Sequence, residues 1–362
     1  MAVFRDFCCI GRQAFSLVAL LVLAAGACAQ VGPDSREHAV ARLLAGRFEW
    51  TVSPPLVMPP NRPDDVYYAI KDPSIVRYQG RWHLFCTIRG RNRSHQIEYL
   101  AFDDWQRADT SSRHMLKMHD GYYCAPQVFY FRPHNRWYLI CQASDDSWDP
   151  KYGAAYATAA NVADPTSWSG LRPLGHRKAN GKSGLDFWII CDGAKAHLFF
   201  TTLDGHLWRE ETKLEDFPAG WSEPKLAIRG DIFEAAHVYR LRGLDKYLAI
   251  VEAQGGHGWR YFKAYLAQRL EGPWGPLAAT RDKSFASMAN TRPMGERWTD
   301  SISHGELLRA GYDQHLEVDP AHLQFLFQGV RDEARTGKPY GKIPWRLGLL
   351  KPAAPGIASE PK

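Results

Sequence analysis

Three acidic residues stand at corresponding points of a repeated pattern in this sequence. Asp72, Asp186 and Glu234 each open a unit that consists of an apolar run, a turn rich in Gly, Asn, Asp or Pro, and a second apolar run. Such units recur over residues 72–87, 125–141, 186–202, 234–251 and 303–327. A strand, a tight turn and a second strand form the sequence pattern of a β-hairpin. Three predicted hairpins therefore begin with a carboxylate.

The spacing of the five hairpins predicts an all-β fold, a five-bladed β-propeller. The units begin 48 to about 70 residues apart, which leaves room for two further strands in each repeat. In a propeller the innermost strands of all blades run along the central axis in the same direction. We therefore expect the three carboxylates to converge at one mouth of the central channel.

Crowded carboxylates raise one another's pKa values, which separates a protonated group from an ionised one. Hydrolysis of a glycosidic bond needs this pair, an acid for the leaving oxygen and a base for water. The alternative is structural, because Asp72 precedes Pro73 in a common turn opener and Asp186 is also placed to cap a turn. His304 holds the matching place in the fifth hairpin, as a metal ligand, a donor to substrate or a structural histidine.

The composition favours a sugar-binding protein over a nucleic-acid-binding one. Aromatic residues make up 13% of the 362 residues, and aromatic faces stack on sugar rings, although Trp and Tyr are also favoured in strands. The net charge is +6, but the basic residues are scattered apart from the short cluster Arg89–Arg93. We expect no nucleic-acid partner.

The first 29 residues have the pattern of a secretory signal peptide. Arg5 and Arg12 precede an apolar stretch over residues 14–25 that is too short to span a bilayer. An A-x-A cleavage site follows at 27–29, so we expect secretion to the extracellular space or the periplasm. The alternative is a lipoprotein anchored at Cys28.

The rest of the chain divides simply. We predict a short leader at 30–45 with one helical turn around His38–Leu44, the catalytic propeller at 46–352 and a tail at 353–362. No later segment is long and apolar enough for a membrane span. We expect a soluble monomer.

Four cysteines remain after the signal peptide, and each lies in or beside an apolar run: Cys86, Cys124, Cys141 and Cys191. No CxxC pair is present, which argues against a zinc site. We predict buried free thiols, with one disulfide as the alternative.

Seven segments resemble, in order, those of the glycoside hydrolase family 62 α-L-arabinofuranosidases. Ile70–Pro73 resembles the family's base motif, Ile232–Ala235 its acid motif and Trp298–Leu307 its histidine motif. The resemblance extends over about residues 65–350.

The resemblance implies an inverting enzyme that releases α-L-arabinofuranose side chains from an arabinoxylan-like polysaccharide. It implies that Asp72 is the general base and Glu234 the general acid. Asp186 would modulate the pKa of the acid and orient it.

The resemblance also implies a sugar pocket and a metal. Lys71 and Tyr340 would line the arabinose pocket, and His304 would contact a calcium ion on the axis, mostly through water. No organic cofactor is expected.

Two features depart from the family pattern. The loop Arg89–Ser94 is unusually basic, and Gly341 replaces the amide that usually follows the pocket tyrosine. Both features are placed to line the groove that holds the polymer, so they bear on the preference for arabinoxylan more than on catalysis. Two alternatives remain, a family 43-like propeller hydrolase (a β-xylosidase or an arabinanase) and a non-catalytic carbohydrate-binding propeller.

Overall fold

The computed structural model describes residues 33–255 and 260–353, and these form a five-bladed β-propeller. Each blade is a sheet of four or five strands, and consecutive strands within a blade pair mostly antiparallel. The predicted fold class is confirmed. Within the described residues, no helix is long and apolar enough to cross a membrane.

The first three blades follow one another along the chain. Blade one contains β2 (Tyr67–Tyr78), β3 (Arg81–Gly90), β4 (Gln96–Phe102) and β5 (Arg113–Met115). Blade two contains β6 (Tyr122–Phe131), β7 (Arg136–Ser144), β8 (Tyr152–Ala159) and β9 (Arg172–Pro173). Blade three contains β10 (Leu185–Cys191), β11 (Lys195–Thr201), β12 (His206–Lys213) and β13 (Lys225–Arg229).

The last two blades are more elaborate. Blade four contains β14 (Glu234–Leu241), β15 (Tyr247–Gln254), β16 (Arg260–Ala267), β17 (Gly275–Ala278) and β20 (Glu317–Val318). Blade five contains β1 (Trp50–Val52), β18 (Thr291–Pro293), β19 (Ser303–Leu307), β21 (Phe325–Gly329) and β22 (Arg346–Pro352). Short 3-10 helices lie at Trp105–Arg107, Arg132–His134, Met288–Asn290 and Tyr340–Lys342. A one-turn helix, α2, lies at Asp332–Arg335.

Strand β1 closes the ring, because it pairs antiparallel with β22 and parallel with β18. Its Trp50 is buried, and the indole N–H donates to the Phe285 carbonyl at 2.6 Å. The chain's N-terminal strand is thereby fixed within the C-terminal blade.

The leader is more ordered than the single turn that we predicted. Helix α1 spans Pro33–Leu44, twelve residues. Leu43 is buried in the same apolar cluster as Phe48 and Trp50, and Arg36 pairs with Asp319 at 2.8 Å. These tertiary contacts stabilise a helix that its own sequence predicts only weakly. The predicted signal peptide and nearly all of the predicted tail lie outside the described residues.

All five predicted hairpins are present, as the two innermost strands of each blade. The four cysteines lie within them, buried and unpaired, as predicted.

A β-bulge interrupts every innermost strand at the same position. In blades one to four, two residues face a single residue of the neighbouring strand, directly after Lys71, Cys124, Leu185 and Glu234. In blade five one extra residue, His304, follows Ser303 and faces none. The residue that follows has a positive φ in four blades: 47° at Asp72, 52° at Ala125, 53° at Asp186 and 49° at Ala235. These bulges position the candidate site.

The bulges correct the register that we predicted for the three acids. Asp72 and Asp186 occupy the bulge, as does His304 in blade five, but Glu234 lies one residue before it. The repeated sequence pattern placed Glu234 level with the aspartates because the apolar runs that follow look alike. The structural equivalent of Glu234 in blade one is Lys71.

Candidate active site

The bulges bring together five of the six residues that we predicted for the site, and the sixth, Tyr340, lies on a 3-10 helix and contacts Lys71. Nδ1 of His304 lies 3.4 Å from Oδ1 of Asp72 and 3.8 Å from Oδ2 of Asp186. The same Oδ2 accepts the N–H of Ala235 at 2.9 Å, which places Glu234 beside Asp186. Carboxylates from blades one, three and four therefore share one mouth of the channel.

Hydrogen bonds between successive blades hold each bulge in place. The N–H of every bulge residue is donated to a side chain of the preceding blade. The pairs are Asp72 to Gln328 (2.9 Å), Ala125 to Thr87 (2.8 Å), Asp186 to Gln142 (3.1 Å), Ala235 to Asp186 (2.9 Å) and His304 to Glu252 (2.9 Å). We call this set the bulge ring.

Asp186 is the exception within the bulge ring. In the other four hydrogen bonds of the ring, the acceptor lies on the second strand of its blade, opposite the residue that precedes the bulge. The corresponding residue of blade three is Thr201, whose buried hydroxyl has no partner among the described residues. Asp186 replaces Thr201 as the acceptor for the N–H of Ala235, and this hydrogen bond draws the Asp186 carboxylate towards blade four.

Asp72 is held in its ionised form. Burial alone would raise the pKa of its carboxyl, but Lys71 and His304, with a hydrogen bond from Thr87, outweigh burial and lower the pKa. Nζ of Lys71 lies 3.4 Å from Oδ1 of Asp72. The group can accept a proton from water at ordinary pH.

Asp186 has the opposite tendency. Burial, and next the repulsion of the Asp72 charge, raise the pKa of Asp186 to about 7, although the N–H of Ala235 stabilises the ionised form. The carboxyl can therefore exchange a proton near neutral pH.

Glu234 shares a guanidinium with a second carboxylate. Nη1 of Arg260 lies 2.9 Å from Glu234 and 3.1 Å from the fully buried Glu252. Burial raises the pKa of Glu234, Arg260 opposes this, and Asp186 raises it further. Two carboxylates compete for one cation, and the pKa of Glu252 is raised as well, chiefly by burial. The shared cation leaves Glu234 able to keep its proton.

Lys71 and Tyr340 form one wall of the site. Nζ of Lys71 donates to the Tyr340 hydroxyl at 3.1 Å and lies 5.0 Å from the centre of its ring. Lys71 is buried, whereas Tyr340 is 47% exposed. An apolar ring face and an ammonium group beside Asp72 suit a polyhydroxylated ligand, and the binding role of both residues stays a prediction.

Glu252, Arg260 and Gln142 belong to the site, but sequence reasoning gave them no role. They contact it from the second or third strand of a blade or through another side chain. Glu252 stands opposite Glu234 on β15, a register that only the folded hairpin shows.

Within the described residues, we consider two places that offer metal-ligating side chains. Beside His304, His237 is buried, its ring centre lies 5.3 Å from that of His304, and its Nδ1 has no hydrogen-bond partner among the described residues. The second is the group Asp192, His197 and Glu271 at the blade periphery.

The peripheral group does not fit a metal. Arg209 donates to Nδ1 of His197 at 2.9 Å, so the ring proton lies on Nε2, which faces Asp192 at 3.0 Å. Lys195 lies 3.8 Å from Glu271. Both ring nitrogens are thus engaged in a network of charges.

Comparison with known proteins identifies the family. The sequence profile of glycosyl hydrolase family 62 matches residues 49–351. The chain belongs to this family. The family 43-like alternative is therefore set aside.

Individual family 62 relatives agree with the assignment. The chain is 39% identical over 315 residues to alpha-L-arabinofuranosidase C of Cellvibrio japonicus, covering 85% of this chain but 48% of that protein. It thus spans about half of that relative's length. The catalytic domain of the Coprinopsis cinerea family 62 α-L-arabinofuranosidase superimposes with a TM-score of 0.78 at 36% identity, over 84% of this chain and 97% of that one. The Podospora anserina α-L-arabinofuranosidase, solved in complex with cellotriose, superimposes with a TM-score of 0.77 at 35% identity. The match covers 85% of this chain and 98% of that one.

Glu252→Gln tests the shared guanidinium of this family 62 site. Without the competing charge, Arg260 stabilises the Glu234 carboxylate alone, so we expect the pKa of Glu234 to fall. Carbon-13 NMR of glutamate-labelled protein measures it, with the Glu234 signal assigned from the Glu234→Gln spectrum.

Glu210→Gln is the matched control. Glu210 is also fully buried with a raised pKa, but it lies on β12 in blade three and accepts the backbone N–H of Arg177. We expect it to leave the Glu234 titration unchanged. An unchanged or higher Glu234 pKa in Glu252→Gln would contradict the account.

Proposed function

We propose that this chain is an inverting α-L-arabinofuranosidase that releases α-L-arabinofuranose side chains from arabinoxylan-type polysaccharide. Family membership and the activities named for its relatives support the reaction and the substrate class. The observation that carries the mechanism is the opposite pKa shift of two acids at one mouth, lowered for Asp72 and raised for Glu234.

Asp72 is the general base in this proposal. Its lowered pKa keeps it ionised, so it can take a proton from the water that attacks the anomeric carbon. Lys71 and His304 hold the carboxylate from two sides, which fixes the direction of that proton transfer. An inverting enzyme needs space for this water, with its two carboxyl groups roughly 6.5–9.5 Å apart.

Glu234 is the general acid, and Asp186 orients it. The raised pKa of Glu234 keeps a proton available for the leaving oxygen. Asp186 accepts the N–H of the next residue, Ala235, and its own charge raises the pKa of Glu234. The rate should therefore fall below the lowered pKa of Asp72 and above the raised pKa of Glu234, a bell-shaped profile.

The remaining roles follow from position. Lys71 and Tyr340 bind the arabinose hydroxyls in the pocket beside Asp72. We also propose that residues 1–29 direct secretion and that the protein acts as a monomer. A non-catalytic sugar-binding propeller would have no need of three buried acids with separated pKa values.

Replacement of Glu234 by Gln tests the assignment of the acid. A general acid contributes about 100- to 10,000-fold where the leaving group is poor. We expect a loss of that size on arabinoxylan and a much smaller one on an activated aryl α-L-arabinofuranoside, measured as kcat/KM.

Asp72→Asn is the control for that comparison. Activation of water is needed whatever the leaving group, so this variant should lose activity to a similar extent on both substrates. Equal losses of kcat/KM on the two substrates in Glu234→Gln would exclude Glu234 as the acid.

A calcium ion near His304 is a further part of the proposal. The unpartnered, buried Nδ1 of His237 beside His304 fits a polar site on the axis, although calcium prefers oxygen ligands. His304 would hold the ion, largely through water. Its charge would favour the ionised form of Asp72.

Metal analysis and thermal unfolding with and without a chelator test the calcium site. We expect about one calcium per chain and a lower midpoint after chelation, because an ion that binds only the folded state stabilises it. Protein that contains no metal and unfolds at the same temperature would remove this part of the proposal.

A further inference from the structure

The basic loop and Gly341, which depart from the family pattern, meet in the structure. Arg89 lies on β3 opposite Ala69, on the mouth side of the bulge. Its guanidinium packs over Gly341, where a Cβ atom would collide with Nη2. The arginine and the glycine therefore form a matched pair, since a larger residue at 341 would displace the guanidinium.

This pair borders the arabinose pocket. Gly341 directly follows Tyr340, whose hydroxyl contacts Lys71 beside Asp72. Arg89 is partly exposed, so a ligand that extends out of the pocket can reach it.

The charge of Arg89 is not balanced by a carboxylate within the described part of the chain. Nη1 of Arg89 lies 2.7 Å from Nε2 of His95. Because a guanidinium can only donate, Nε2 accepts and the ring proton is on Nδ1. Nδ1 lies 3.0 Å from Oγ of Ser94. His95 is thus neutral, in keeping with a pKa lowered to about 4 by burial and by Arg89. Nε of Arg89 is buried and has no hydrogen-bond partner among the residues that the structure describes.

Most of the other arginines near the pocket have partners. Arg62 and Arg113 pair with Glu98, and Arg260 pairs with Glu234 and Glu252. Arg93 donates to two backbone carbonyls, those of His119 and Gly121. Arg89 combines contact with Gly341, next to the pocket tyrosine, with a charge that no carboxylate of the described residues balances.

We propose that Arg89 binds the carboxylate of an acidic sugar, a uronic acid carried by the polysaccharide close to the arabinose that is released. A guanidinium presents a planar fork of N–H donors that matches a carboxylate. A neutral polymer offers no group that would balance this charge. The inference rests on the proposed function and narrows its substrate to arabinoxylans that also carry acidic substituents.

Two forms of one polymer test the proposal. Glucuronoarabinoxylan and its carboxyl-reduced form differ only in the acid group, and release of arabinose gives kcat/KM for each. We expect the native protein to prefer the acidic form by about five- to tenfold, the range of one charged hydrogen bond at a partly exposed site. Arg89→Gln should reduce this ratio to about 1.

Arg91→Gln is the matched control, because it removes the same charge from the same loop. Arg91 is exposed, and its backbone N–H, not its side chain, contacts Val66. We expect the acidic preference to persist in this variant. An equal fall in both variants, or an unchanged ratio in Arg89→Gln, would overturn the site.

Two further measurements keep the test independent of folding and of catalysis. If Arg89→Gln fails to fold, the native preference for the acidic form must still decline as salt is added, and a salt-independent ratio overturns the proposal. If arabinose is released from neither polymer, the proposed function fails by itself. Calorimetry with glucuronic-acid-bearing xylo-oligosaccharides and their carboxyl-reduced forms then tests the site, and equal affinity overturns it.

Discussion

The bulge ring is the constraint on which the active site depends. Each innermost strand leaves its ladder at the same position, and the N–H released there is buried. A buried donor without a partner costs about 1–3 kcal/mol, so each bulge requires an acceptor from the neighbouring blade. The acceptors Gln328, Thr87, Gln142, Asp186 and Glu252 thus tie five blades into one closed frame and fix where the chain turns into the channel.

The same ring separates the pKa values of the acids. Two of its five acceptors are carboxylates, and both lie around Glu234. Asp186 bonds the residue next to it, and Glu252 competes with it for Arg260. Blade one instead offers Asp72 a lysine and a neutral threonine hydroxyl. Opposite charge environments therefore arise from side chains that the frame already needs for structural reasons.

Much of this arrangement was predictable from the sequence. The apolar runs and their Gly, Asn, Asp and Pro turns indicated all five hairpins, because these features are local. The meeting of three carboxylates at one mouth of the channel followed from the propeller geometry. The position of Glu234 relative to its bulge did not follow from the sequence, because the bulge at Ala235 has no distinctive residue. Asp72 and Ala125, by contrast, each precede a proline. Glu252 and Arg260 were missed as site residues because their roles depend on contacts between strands.

The anomeric configuration of the first product tests the central claim most directly. If Asp72 activates water across the channel from Glu234, attack comes from the face opposite the leaving group. Proton NMR during the first minutes of hydrolysis should then show β-arabinofuranose from the α-linked substrate, before mutarotation. Initial release of the α-anomer would mean that Asp72 acts as a nucleophile or not at all, and it would contradict the account.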